Sequence, residues 1–329
     1  MHWWQRKFKT VIKNNRSKLQ LIGWLLGGGL LIYQLIQGII SYQQHYFQFH
    51  NVKGVITALA CSILALVLQM LSWKMFMKDL GVDIPWLAVF KGYFLSFLPR
   101  YIPGTIWGYI SRGEWLYQQF RVDYSITNVG SILELGSAIF ANMMILAFHF
   151  TKKSISARWW LVIFPFLTII AWLVFKEILK FLKGKKIEFW GTIEKFLSIK
   201  TKTWFECTIL FGITWILYGI SLFFIQSSLM AKVVIDVESI TSLTEIYSMA
   251  WMMGFIIIFI PAGLGLREFA LMNLLQNYTH MSKVDANVTA VVGRIVIVIA
   301  EICLLLFGFL LSLNHVLHSQ RKNTSKGLL

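Results

Sequence analysis

Seven stretches of this chain, residues 19–40, 55–77, 124–150, 159–182, 204–230, 243–260 and 286–313, are nearly unbroken apolar sequence. Each is close to or above the roughly 20 residues that a tilted helix needs to cross a bilayer. In hydrocarbon every backbone N–H and C=O must be satisfied inside the protein, and a single apolar run does so by becoming a helix. The runs therefore predict an all-α polytopic membrane protein. Composition agrees, with 57% hydrophobic and 14% charged residues and a mean hydropathy of +0.65. A soluble chain of 329 residues would need a mixed polar surface. Only residues 176–203 are polar enough to supply one, and they read as a loop, so residues 1–329 form one integral membrane domain.

The formal charge of +16 sits in blocks beside the apolar runs. That placement suits a basic rim facing anionic lipid rather than a nucleic-acid surface. Arg6, Lys7, Lys9, Lys13, Arg16 and Lys18 precede the first run, which is longer than the roughly 7–15 residues of a signal peptide and reads as a retained span. By the positive-inside rule the N-terminal segment 1–18, Lys74 and Lys78, the block from Lys176 to Lys202 and the basic tail 314–329 are cytoplasmic. The same orientation puts residues 231–242 outside, together with Lys152, Lys153 and Arg158. Cys61, Cys207 and Cys303 stand alone in apolar runs, which supports neither disulfides nor a metal site. No metal, cofactor or catalytic motif is expected.

Two shorter apolar stretches, 86–98 and 264–275, abut breaks. "FLPRYIPGTIWGYISRGEW" holds Pro99, Pro103 and Gly104, and "FIPAGLGLREFA" holds Pro261, Gly263 and Gly265. Proline removes a backbone donor and glycine disfavours helix, so these segments predict broken or re-entrant helices. Freed backbone groups at membrane depth must face protein or a wet cavity; at the interface the same breaks would be simple turns. Counting broken segments gives about eight passes. Each break is followed by a membrane helix carrying an ionised group, and the two units fall in opposite orientation, as in an inverted-repeat transporter.

Thr127, Ser131, Glu134 and Ser137 share one helix face, and Asn287, Arg294, Glu301 and Gly308 recur every seven residues on another. An intramembrane ionisable group costs several kcal/mol unless paired or hydrated. Glu134, Arg294 and Glu301 are therefore read as an internal polar path, with a structural ion pair as the alternative. Arg100, Arg112, Glu114, Arg267 and Glu268 lie at or just past the breaks. Guanidinium forks suit phosphate, which makes Arg100, Arg112 and Arg267 headgroup candidates, although Arg112 and Arg267 could instead snorkel to the interface.

The early break is similar to the "(G)KYLPGKIW…R" element, and "IPAGLGLREFAL" to the "PGGLGVREAAL" element, of the lysylphosphatidylglycerol synthase transmembrane, or flippase-like, family. "SILELGSAI" resembles its "S…E" helix, which carries the acidic position onto Glu134. Ala262 departs from the usual glycine, and Thr105 stands where lysine is common. The resemblance implies a fold of about eight passes. It also implies a flippase related to the membrane part of the multiple peptide resistance factor, where a separate soluble domain transfers the amino acid from aminoacyl-tRNA. Because the chain ends at Leu329 after a short tail, that soluble domain is not expected.

The resulting expectation is a plasma-membrane lipid translocase taking an anionic phospholipid or a polyprenyl-phosphate glycolipid. A membrane-embedded lipid-modifying transferase and a non-transporting partner of an envelope-synthesis enzyme are the alternatives. Membrane lipids are the expected partners, with envelope glycan or lipid biosynthesis enzymes beside them, and nucleic acid is not.

Overall fold

The computed structural model describes residues 51–101, 107–151, 157–183, 190–230, 236–257, 260, 263–279 and 281–326, with Gly29, Ile32, Tyr33 and Ile36. Most of the first apolar run, the N-terminal basic cluster, and Pro103, Gly104 and Pro261 lie outside the described residues. So do the side chains of the C-terminal tail.

The described chain is helical throughout. The helices are α1 (Val52–Asp79), α2 (Trp86–Leu95), α3 (Trp107–Phe120), α4 (Tyr124–Thr151), α5 (Ala157–Lys183), α6 (Trp190–Ser198), α7 (Thr201–Leu229), α8 (Val237–Ile256), α9 (Leu266–Thr279) and α10 (Lys283–Lys326), with a 3-10 turn at Leu98–Tyr101. Among the described residues five segments are long and apolar enough to cross a membrane: Val52–Asp79, Tyr124–Thr151, Val162–Phe181, Thr201–Leu229 and Lys283–Leu310. The protein is thus an all-α, multi-pass membrane protein. Helix α8 has the length but is more polar, carrying Glu238 and Glu245. The segment read as a loop contains a helix instead. Lys176 donates to the Ile199 carbonyl, and in α6 Phe196 packs with Trp172 and Trp204, so its apolar face is docked rather than solvated.

The close contact at the centre is α1 against α7. Small residues make it possible, because without a hydrophobic drive between helices in lipid, association depends on close backbone approach and hydrogen bonds. A Cβ on Gly54 would collide with Ser228 of α7. One turn on, Ala58 has no exposed surface, and its carbonyl accepts from both Ser62 and Ser221, whose hydroxyls are 3.0 Å apart. Helix α5 leaves Phe166, Ile170, Val174 and Phe181 half or more exposed, the kind of apolar surface a spanning helix turns to hydrocarbon.

Two sets of four helices, the units α1–α4 and α7–α10, pack in a related pattern. Under exchange of α1 with α7, α2 with α8, α3 with α9 and α4 with α10, each helix contact within this set has a counterpart, although α8 packs on α7 and α9 far more extensively than α2 does on α1 and α3. Thus α1 against α4 answers α7 against α10, and α4 against α8 answers α10 against α2. In each unit the helix after the break has 14 residues and is followed, after a three-residue connection, by a long helix.

The second break is shaped by glycine. Gly263 has φ +66° and Gly265 φ +78°, values that side chains disfavour. A Cβ on Gly263 would also stand 3.2 Å from the Gly254 carbonyl oxygen of α8. Helix α9 then starts with half of a capping box: Glu268, in its first turn, accepts the Gly265 N–H at 2.7 Å.

Candidate functional site

The two breaks and the long helices that follow them enclose a cavity of about 430 Å3. All of α1, α3, α4, α7, α8, α9 and α10 and the 3-10 turn contribute to its wall. Glu134 is ten residues from the start of the span Tyr124–Thr151 and Glu301 nine residues before the end of the span Lys283–Leu310, which at 1.5 Å per residue puts each about 14–15 Å from the nearer end of its span. The cavity therefore lies well inside the span.

Its chemistry is divided. Arg100, Arg267, Arg294, Glu134 and Glu301 supply charge, while Phe211, Trp215, Tyr218, Tyr247, Trp251 and Phe255 supply an aromatic wall on α7 and α8. The charges are organised as three clusters, and each uses a tyrosine, a guanidinium or both to hold a carboxylate.

In the first cluster Arg112 donates to Glu134 Oε2 and the Tyr93 hydroxyl donates to Oε1, both at 2.5 Å. Arg112 is 1% exposed and Glu134 5%. The guanidinium also lies over Tyr93 at 4.2 Å and Trp73 at 4.8 Å, a cation–π setting that replaces part of its lost hydration. Arg112 thus points inward and does not snorkel, and it sits behind Glu134 rather than on the cavity wall.

The second cluster joins the two units. Tyr101 donates to Glu301 Oε2 at 2.8 Å, and Arg100 approaches Oε1 at 4.0 Å. Arg100 is also stacked over Phe97 at 3.9 Å.

In the third, Arg294 pairs with Glu268 at 3.6 Å, so Arg294 and Glu301, two turns apart on α10, each find a partner from another element. Arg294 Nη2 has no hydrogen-bond partner among the described residues. Arg267 donates to the Tyr247 hydroxyl and lies over that ring at 4.6 Å. Among the described residues no carboxylate reaches ion-pair distance of Arg267.

Of the eight charged residues singled out in the sequence, five line the cavity, and Arg112 and Glu268 buttress it from behind. Glu114 is placed elsewhere. It faces outward, accepting from Tyr124 at 2.6 Å and Gln118 at 2.7 Å, and these hydrogen bonds hold its carboxyl below the usual range. Among the breaks, Pro99 lies in the 3-10 turn, and Gly263 is on the cavity wall.

Sequence reasoning missed the tyrosines and tryptophans that complete the site. Tyr93, Tyr218 and Tyr247 look like core aromatics in apolar runs, and Tyr101 and Tyr109 sit among the prolines, glycines and arginines of the first break. The available signal was that each carries a hydroxyl needing a partner at membrane depth. Gln69 is a similar case, donating to Tyr218 at 3.0 Å. A further polar pair lies nearer the far end of α4, where His149 Nδ1 is 2.6 Å from Glu245 Oε2 of α8. Among the described residues no three His, Cys, Asp or Glu side chains gather as metal ligands.

No curated protein and no solved structure matches this chain. Residues 21–308 match the family model described as "Lysylphosphatidylglycerol synthase TM region". That match takes in both breaks, the whole of α4, α10 as far as Gly308 and the whole cavity wall, and so the chain belongs to the lysylphosphatidylglycerol synthase transmembrane-region family.

Proposed function

We propose that this protein is a lipid translocase that receives an anionic lipid headgroup in the cavity between its two broken helices. The observation that carries the reading is the charge of that cavity. It holds three arginines against two glutamates at membrane depth, and Arg267 has only a tyrosine hydroxyl as partner among the described residues. Burying a cation without a counter-ion is costly, and a phosphate entering beside Arg267 offsets that cost with charge-assisted hydrogen bonds. Membership of a family consistent with lipid handling supports the same reading.

The two units form an inverted repeat related by a pseudo-two-fold axis, which gives about eight passes with both termini cytoplasmic in the cell membrane. The support is the packing pattern that survives exchange of the units, together with the cross-unit contact of Tyr101 and Arg100 with Glu301. In such transporters the site lies at the interface of the repeats near the midplane. The Arg112–Glu134 and Arg294–Glu268 pairs hold the helices that frame that site. Rearrangement at the Glu301 cluster, where the two units meet, opens one side against the other.

The test is headgroup-labelled lipid crossing in proteoliposomes. Wild-type flux that is lost in folded Glu134→Gln and Arg267→Gln supports transport through the cavity. Flux retained in both variants overturns it. Modified lipid formed from a labelled donor without crossing replaces it with the transferase reading.

A further inference from the structure

We infer that the cavity is built for a lipid whose headgroup is a monoanionic phosphodiester bearing an uncharged, hydroxylated substituent, and that it discriminates against headgroups carrying an amine. This rests on the lipid-handling reading above and names its substrate class.

The carboxylates are already committed. Glu134 is held by Arg112 and Tyr93, Glu301 by Tyr101 with Arg100, and Glu268 by the Gly265 N–H with Arg294. An ammonium entering the cavity competes with a guanidinium at each carboxylate; at Glu134 it would have to break the buried pair with Arg112, leaving that charge uncompensated, and at Glu301 it would meet the charge of Arg100 4.0 Å away. A phosphodiester meets the opposite situation. Arg267 has no carboxylate and Arg294 Nη2 no acceptor among the described residues, and arginine cannot shed its proton to relieve the cost.

Aromatic rings attract cations as well, so their occupancy decides the matter. Tyr247 already carries Arg267 over its ring and has Tyr218 stacked at 4.9 Å. Trp251 is stacked on Phe255 at 5.0 Å and meets Trp215 edge-on at 4.9 Å. These rings are engaged with one another and with a resident guanidinium, so they form a wall and not an open cage. Such a wall packs against the C–H face of a sugar or glycerol, while Gln69 and Tyr109, which also line the cavity, offer neutral donors and acceptors to hydroxyls. A volume of about 430 Å3 takes a headgroup and leaves the hydrocarbon tails to the bilayer.

The experiment is native mass spectrometry of the purified full-length protein titrated with four probes. Phosphatidylglycerol and a polyprenyl phosphosugar are the monoanionic phosphodiesters, and phosphatidylethanolamine and lysylphosphatidylglycerol carry amines. At least one phosphodiester should bind ten-fold or more tightly than both amine lipids, and whichever does so identifies the glycerol or the sugar as substituent. Arg267→Gln should cut phosphodiester binding at least ten-fold without strengthening the amine lipids. Glu301→Gln, which makes the cavity more positive, should raise phosphodiester affinity several-fold. Equal or tighter binding of either amine lipid overturns the inference, as does a preference unchanged in both folded variants. Binding or flux without preference leaves the translocase reading standing, whereas no lipid binding at all removes both.

Discussion

The Arg112–Glu134 pair offers a demanding quantitative test, because both partners are buried and both are ionisable. The side chains are 1% and 7% exposed, and the shortest N···O distance is 2.5 Å. Taking charge centres about 4 Å apart and an effective dielectric near 20, the attraction is about 4 kcal/mol. Removing one partner strands the other, which typically costs about 3–5 kcal/mol. Arg112→Met and Glu134→Gln should each destabilise by about that amount. The double variant should not cost the sum. It strands no charge, and the amide that replaces the Glu134 carboxylate keeps an acceptor for the Tyr93 hydroxyl, so we expect a total of about 2 kcal/mol and a coupling energy of several kcal/mol. What remains is the lost cation–π contact of Arg112 with Trp73 and Tyr93. The assay is reversible unfolding in mixed micelles by titration with denaturing detergent, monitored by helical circular dichroism for all four proteins. Single variants within about 1 kcal/mol of wild type, or strictly additive costs, would refute the claim that this is a tightly coupled buried pair.

Three further outcomes follow from the packing. Gly263→Ala places a side chain at φ +66° and 3.2 Å from the Gly254 carbonyl, and should cost about 1–3 kcal/mol in the same unfolding titration, an unchanged midpoint being the contrary result. Gly219→Val drives a branched side chain into Thr244 where α7 crosses α8; overpacking should cost about 1–3 kcal/mol, read as a lower thermal midpoint, whereas Gly212→Val, with only the Phe164 ring near it, should cost less. Glu245→Ala removes the partner of His149 between α4 and α8 and should lower stability by about 1–3 kcal/mol, a loss that His149→Ala in the same chain would largely mask if the two act as a pair.

Much of the fold was legible because lipid imposes simple rules on sequence. Runs of apolar residues anticipated α1, α4, α5, α7 and α10 to within a few residues at most ends, and short runs beside Pro and Gly anticipated α2 and α9. Helix α6 was lost in a basic stretch because charge masked the apolar face on which Phe196 docks. The α8 run was shifted, since the helix begins at Val237 behind its Asp236 cap, six residues before hydropathy rises.

For the site, sequence identified which groups are costly at membrane depth, and the cost of an intramembrane charge made Glu134, Arg294 and Glu301 conspicuous without any structure. Their partners could not be read that way. Helix periodicity tells which residues share a face, but the neighbour across that face depends on how whole helices rotate and pack. Glu301 meets Tyr101, 200 residues away. Glu134 meets Tyr93 on α2 as well as Arg112 on α3, and Glu114, two residues from Arg112, turns outward to Tyr124. The aromatic wall came from α7 and α8, helices whose patterns resemble ordinary core. Sequence alone determined that this chain is a helical membrane protein with charges it must justify. Tertiary packing decided which of those charges cancel and that, among the described residues, Arg267 meets the cavity without a carboxylate partner, because pair energies fall off over a few ångströms and only the assembled bundle sets distances on that scale.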